Sequence, residues 1–150
     1  MIDYFTIAST GNAVDYGNLT HETRHAGSCA SPTRGIWAGG NINPGFSNHI
    51  QYVTIATTGN AADFGDLTYT NAAASKGQSN AVTGFVIGGQ SGGTYSDNTN
   101  KVTIASLGSA IDGGDMSETK TYVGAMASPT RLVVAGGVNG CLLYTSPSPR

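Results

Sequence analysis

Ile50-Gln-Tyr-Val-Thr-Ile-Ala-Thr-Thr-Gly-Asn-Ala-Ala-Asp-Phe-Gly-Asp-Leu-Thr68 is the second of three near-copies in this chain. The first is Ile2-Asp-Tyr-Phe-Thr-Ile-Ala-Ser-Thr-Gly-Asn-Ala-Val-Asp-Tyr-Gly-Asn-Leu-Thr20, and a more diverged third runs from Lys101 to Ser117. Thr6 and Thr54 are 48 residues apart, and Thr54 and Thr103 are 49 apart. A spacing of that size is the mark of a repeat architecture, in which each unit buries its apolar face only against its neighbours.

Working outward, each unit divides into two predicted hairpins. Phe5–Ala8, Val53–Ala56 and Val102–Ala105 alternate a large apolar residue with Thr or Ala, the period of a strand. The turn that follows carries Gly11, Gly59 or Gly108 at one position, where a positive φ is expected. Asp15-Tyr-Gly17, Asp63-Phe-Gly65 and Asp112-Gly-Gly114 then read as a short second strand. In the other half, His25–Ala30 and Tyr122–Ala127 are strands of small residues. They enter the turns Ser31-Pro-Thr-Arg34 and Ser128-Pro-Thr-Arg131, where the middle copy has Asn80-Ala-Val-Thr83. Proline suits such a turn because its φ is fixed and it needs no amide donor. Gly35–Gly40, Gly84–Gly89 and Leu132–Gly137 are apolar on both faces, as expected of a strand covered on both sides, and each ends in Gly-Gly. The polar stretches Asn41–Asn48 and Gln90–Asn100 differ between copies and are expected to be surface loops, where binding function commonly resides.

Composition agrees with this reading. Charged residues make up 11% of the chain against about 25% in an ordinary soluble domain, and there are 22 glycines. That mixture disfavours helices and favours short strands joined by tight turns. The net charge of -2 and the scattered basic residues give no phosphate-binding stripe, so nucleic acid is not an expected partner. No apolar stretch approaches the length of a membrane span, and the first residues lack the pattern of a secretory leader, so no membrane association is expected. Cys29 and Cys141 sit at unrelated positions, which is no disulfide or zinc framework.

Four short strands, a unit near 50 residues and a two-faced apolar strand ending in Gly-Gly resemble the blades of kelch-type β-propellers. The resemblance spans Ile2 to Gly137. It implies an all-β, kelch-like β-propeller fragment of four-stranded antiparallel blades. His25–Ala30 would be innermost, then Gly35–Gly40, Ile50–Ala56 and Ala61–Leu67 outward. Tyr52 stands near the family's Tyr. The family's outer-strand Trp is absent, with Phe64 its nearest equivalent and Gly113 in the third copy. The array of residues 1–140 divides into a half blade (2–19), blades at 25–67 and 73–116, and a second half blade (121–137). Three blades would be few for a closed propeller of about 4–8, so the array is expected to belong with the remaining blades of a longer parent chain. The wording Thr-Ile-Ala-Ser-Thr-Gly-Asn-Ala with Ala-Ser-Pro-Thr-Arg-Gly is also similar to tandem repeats in virion proteins of marine phages. Cys141–Arg150, with two prolines where a strand should form, resembles a translated sequencing adapter and is set aside as a non-native tail.

Motifs able to carry chemistry are few. His21-Glu-Thr-Arg-His25 matches the H-E-x-x-H zinc pattern, which needs a helix of several turns, whereas Ala26-Gly27 follow at once. Asp15, Asp63 and Asp112 recur in register, as do Arg34 and Arg131. Recurrence in every unit points to scaffolding, with carboxylates accepting amides or pairing with Arg, rather than to a polar ring around a channel. The Asn18-Leu-Thr20 sequon is explained by its repeat counterparts. Asp97–Asn100 lacks the spacing of a calcium loop. Trp37 could stack on a sugar but lies in the strand expected to be most buried. No Ser-His-Asp set, Cys-His pair or phosphate cradle is apparent. The expectation is a non-catalytic module with no cofactor and no catalytic or metal site. It would act as a binding or structural protein of a phage virion or tail, presenting loops to a receptor, glycan or neighbouring subunit. The alternative is part of a kelch-propeller enzyme, an oxidase or a sugar-processing one.

Overall fold

A computed structural model describes residues 1–69 and 75–139. The expectations for residues 73–74 and for the tail Cys141–Arg150 lie outside the described residues. The described chain is all-β. β1 (Ile2–Tyr4) and β2 (Val14–Gly17) form a two-stranded antiparallel sheet. β3 (Gly27–Ala30), β4 (Arg34–Ala38), β5 (His49–Thr54) and β6 (Ala62–Asp66) form a four-stranded meander. β7 (Lys76–Ser79), β8 (Thr83–Ile87), β11 (Asn98–Thr103) and β12 (Ile111–Asp115) form a second sheet of the same order, with the small hairpin β9 (Gln90–Ser91) and β10 (Thr94–Tyr95) inserted after β8. β13 (Gly124–Ala127) and β14 (Leu132–Ala135) pair as the last hairpin.

Register repeats as faithfully as sequence. Arg34, Ile36 and Ala38 face Thr54, Tyr52 and Ile50, while Thr83, Phe85 and Ile87 face Thr103, Lys101 and Thr99. The hairpin turns before β4, β8 and β14 share one device. Ser31 Oγ accepts the amides of Thr33 and Arg34, Asn80 Oδ1 those of Val82 and Thr83, and Ser128 Oγ those of Thr130 and Arg131. A short polar side chain thus closes the turn locally, and proline is an accessory. Where proline is missing, Ala81 takes φ 74°.

The core lies between the sheets. Ile36, Ala38, Ile50 and Phe64 of the first sheet close against Val86, Val102, Ile104 and Ala110 of the second. A smaller cluster joins Tyr16 to Val53 and Ala61, flanked by Ile2, Leu19 and Trp37. β3, β7 and β13 lie side by side; a side chain at Gly77 would meet the Ser28 backbone at 2.1 Å, so that position must be glycine.

Backbone bonds also stitch the sheets together. Gly59 and Ala61 donate to the carbonyls of Tyr16 and Asn18, and Gly108 and Ala110 donate to those of Phe64 and Asp66. This approach puts the steric demand on Gly17 and Gly65, whose added Cβ would lie 2.3 and 2.6 Å from the backbone of Gly59 and Gly108. Of the turn glycines expected to take a positive φ, Gly59 and Gly108 do so, at 157° and 145°, whereas Gly11 does not.

Two expectations are corrected. The strands expected over Val53–Ala56 and Val102–Ala105 are strand only in their first halves, since β5 and β11 end at Thr54 and Thr103, and Phe5–Ala8 lies wholly beyond β1, which ends at Tyr4. The isoleucines enter turns in which Ser9, Thr57 and Ser106 donate to the carbonyls of Thr6, Thr54 and Thr103. The true strands lie upstream, where the buried polar residues Gln51 and Asn100 break the apolar alternation. The stretch Gln90–Asn100 is not one loop either. It holds the β9–β10 hairpin, and Asn98–Asn100 belong to β11.

Candidate binding face

All sheets have two unlike edges. One carries the turns before β4, β8 and β14 and the turns after β5 and β11; Ser-Pro-Thr-Arg recurs before β4 and β14, with Asn80-Ala-Val-Thr83 before β8. The other carries the segments after the Gly-Gly pairs and the links that precede β3 and β13, which differ between copies. The pairs Gly39-Gly40, Gly88-Gly89 and Gly136-Gly137 all have φ between 57° and 111°. Such φ values are open to glycine at no steric cost. Space demands glycine as well: a Cβ at Gly40 would lie 2.1 Å from Thr23 Oγ1, and one at Gly88 would lie 2.5 Å from the Lys120 carbonyl. The glycines therefore bring each variable loop hard against the neighbouring link.

In the first unit this contact is explicit. Arg24 and Asn41 exchange backbone hydrogen bonds, Thr23 Oγ1 donates to the Gly39 carbonyl, and the loop folds back through Asn41 against Phe46. The result is an open cavity of 780 Å³ lined by Met1, Leu19, Glu22, Arg24, Asn41 and Ile42, among others. Its wall mixes an apolar base with a cation, a carboxylate and amides, and Asn41 Oδ1 is buried with no hydrogen-bond partner. Beside it the His21 and His49 rings stack at 4.7 Å, 5° from parallel, and His49 Nδ1 lies 3.3 Å from Asp66 Oδ1.

The H-E-x-x-H segment does not have the geometry its zinc reading needs. Residues 21–25 form bends and a bridge, Arg24 is tied to Asn41, and His25 takes φ 60°. His21 and His25 thus share no helical face. The recurring carboxylates Asp15, Asp63 and Asp112 lie exposed on β2, β6 and β12. Asp112 accepts the Gly114 amide, one of the two scaffold roles expected, and among the described residues no ion pair joins these carboxylates to an arginine. Arg34 instead donates to the Ile104 carbonyl at 2.9 Å and lies 4.9 Å over the Tyr52 ring. Trp37 is half-buried against the Tyr16 cluster. Asn100 is buried, accepting from the Thr68 amide and hydroxyl. Sequence reasoning did not single out Glu22 and Arg24 as neighbours of the Asn41 loop. The available signal was that the link holding them varies between copies as the loop does.

No family model matches this chain, and no curated protein does. Among solved structures it is similar to YjhT, with a TM-score of 0.67 at 12% identity over 81% of this chain and 40% of that one. The likeness is one of fold, and this chain spans well under half the length of that structure.

Proposed function

We propose that this chain is a kelch-like β-propeller portion, with its sheets arranged radially as blades, that works as a non-catalytic binding or structural module. The contact among β3, β7 and β13 and the repeated stitching of outer strands support the radial reading. The observation that carries the function is that the segments after the Gly-Gly pairs differ most between copies. Similar repeat units hold different loops, and an open cavity of 780 Å³ lies where the Asn41 segment meets the link before β3. The mixed apolar, amide and charged lining suits a glycan or a polar peptide segment on a receptor or neighbouring subunit, as a virion surface protein would meet. A glycan array with the native chain and with residues 41–48 replaced by the 90–97 segment tests this. Binding by the native chain that the swap abolishes is the expected result. Binding that survives the swap, or stoichiometric copper or zinc in the purified protein, would overturn it.

A further inference from the structure

The turn after β5 encloses a small cleft, and the turn after β11 encloses its counterpart one repeat later. The first has a volume of 230 Å³ and is walled by Tyr16, Val53, Thr57, Thr58, Asn60 and Ala62, among others. The second has 120 Å³, with Ser106, Leu107, Ser109 and Ile111 in its wall. These four stand 49 residues after Thr57, Thr58, Asn60 and Ala62. A cleft present in both complete sheets is a feature of the repeat. The second lies in a sheet whose predecessor is complete, with Arg34 of that sheet donating to the Ile104 carbonyl. We propose that the first cleft, at the Thr57-Thr58-Gly59-Asn60 turn, is a binding site for a single neutral sugar ring.

The repeat frame accounts for the clefts but not for the difference between their linings. Gly59 and Ala61 donate to the carbonyls of Tyr16 and Asn18, and Gly108 and Ala110 donate to those of Phe64 and Asp66, so both turns are pinned to the preceding sheet. Where the first unit has Tyr16, Thr58 and Ala62, the second has Phe64, Leu107 and Ile111. Those are a ring without a hydroxyl and two larger apolar side chains. The second cleft has about half the volume of the first, 120 against 230 Å³.

The first cleft keeps hydrogen-bonding groups with capacity to spare. The single Tyr16 O–H is shared between the carbonyls of Thr54 and Thr57, which leaves the phenol oxygen as an acceptor. Asn60 Oδ1 accepts the Asn18 amide; that fixes the side-chain amide and leaves its Nδ2 protons as donors. The Thr57 and Thr58 hydroxyls make no hydrogen bond among the described residues, and each can donate and accept. Val53 and Ala62 add apolar wall, and no charged side chain lines the cleft. A phosphate or carboxylate would find no cation there to pair with. Apolar wall with a few uncharged groups of both hydrogen-bonding senses suits the mixed C–H and O–H surface of a sugar ring. Size limits the ligand as well. Drug-sized sites run to about 300–1,000 Å³, so 230 Å³ has room for one ring and not for a chain. Because backbone bonds already hold the turn, binding orders little that was free. The cleft lies on the turn edge of the sheets and needs nothing from the Asn41 cavity.

The test titrates the isotope-labelled full chain with D-glucose, D-galactose, D-mannose and N-acetylglucosamine, following backbone amide shifts. At least one probe should bind with a dissociation constant on the order of 1 mM, as a lone ring with few contacts does, and should shift the amides of residues 57–60. Affinity of that order does not survive the washes of a glycan array, so the two sites are read separately. Thr58→Leu with Ala62→Ile copies the lining of the second sheet, which the fold already accommodates, and should abolish binding. Asn60→Asp keeps an oxygen for the Asn18 amide, removes the donor, and should weaken binding at least tenfold. Silence from all four probes at ten times the expected constant overturns the proposal, and so does binding that survives in a folded Thr58→Leu/Ala62→Ile chain. If that chain does not fold, unchanged affinity in Asn60→Asp overturns it. Shifts confined to residues 41–48 would also overturn it, while leaving the function proposed above intact.

Discussion

Three isoleucines in the same words of sequence should respond differently to truncation. Ile7, Ile55 and Ile104 each follow Thr and precede Ala, yet Ile104 is 1% exposed within the core between the two complete sheets and Ile7 is open to solvent. Ile104→Ala removes buried methyl and methylene groups and leaves a cavity bounded by Val102, Phe64 and their neighbours. Burial this complete puts the loss within the roughly 2–5 kcal/mol seen for such truncations, and we take about 3 kcal/mol. Ile7→Ala should stay within about 0.5 kcal/mol. Urea unfolding followed by the fluorescence of Trp37, the single tryptophan, reads both. With a slope of about 1–3 kcal/mol/M, the Ile104 variant should lose about 1–3 M from its midpoint while the Ile7 variant keeps the native value. Equal losses in the two variants, or a loss under about 1 kcal/mol for Ile104→Ala, would refute the claim that stability resides between the sheets.

Tyr16→Phe should cost about 1–3 kcal/mol, read by thermal melting, because its single O–H is shared between the carbonyls of Thr54 and Thr57 across the sheet boundary and that donor would be lost. Burial pushes the Cys29 thiol up to about 12 from its ordinary 9, so a thiol reagent at pH 8 should label this residue only as fast as the protein opens. The same shift gives a sign for stability. The unfolded thiol ionises first, so Cys29 contributes fully below pH 9 and its contribution falls by about 1.4 kcal/mol per pH unit between 9 and 12; alkaline melts of Cys29→Ala should show a shallower fall. Gly77→Ala should prevent the close approach of β7 to β3, since its Cβ would lie 2.1 Å from the Ser28 backbone, and a soluble product with native circular dichroism would contradict that packing.

Much of the fold was legible because repetition allowed three copies to be compared. Asp63-Phe-Gly and Gly84–Gly89 were placed on strands by their own alternation and two-faced apolarity. The Thr-Ile-Ala blocks misled because a β-branched alternation of four residues describes a strand end and a turn equally well. The deciding bond, from Ser106 to the Thr103 carbonyl, leaves no mark in side-chain pattern. Asn98–Asn100 read as loop because polarity was taken for exposure, whereas Asn100 is buried to receive two bonds from Thr68. The candidate face was half visible: variation marked the Asn41 loop, but its partnership with Arg24 comes from a chain reversal set by Gly39 and Gly40.

By itself the sequence determined the unit, its strand count and the edge where copies diverge, because these follow from local alternation and from differences between adjacent repeats. Tertiary structure alone decided which glycine must be a glycine, which isoleucine is core and which polar residue is buried. Those answers depend on what the next sheet places opposite, and a residue's own neighbours in sequence carry no information about that distance.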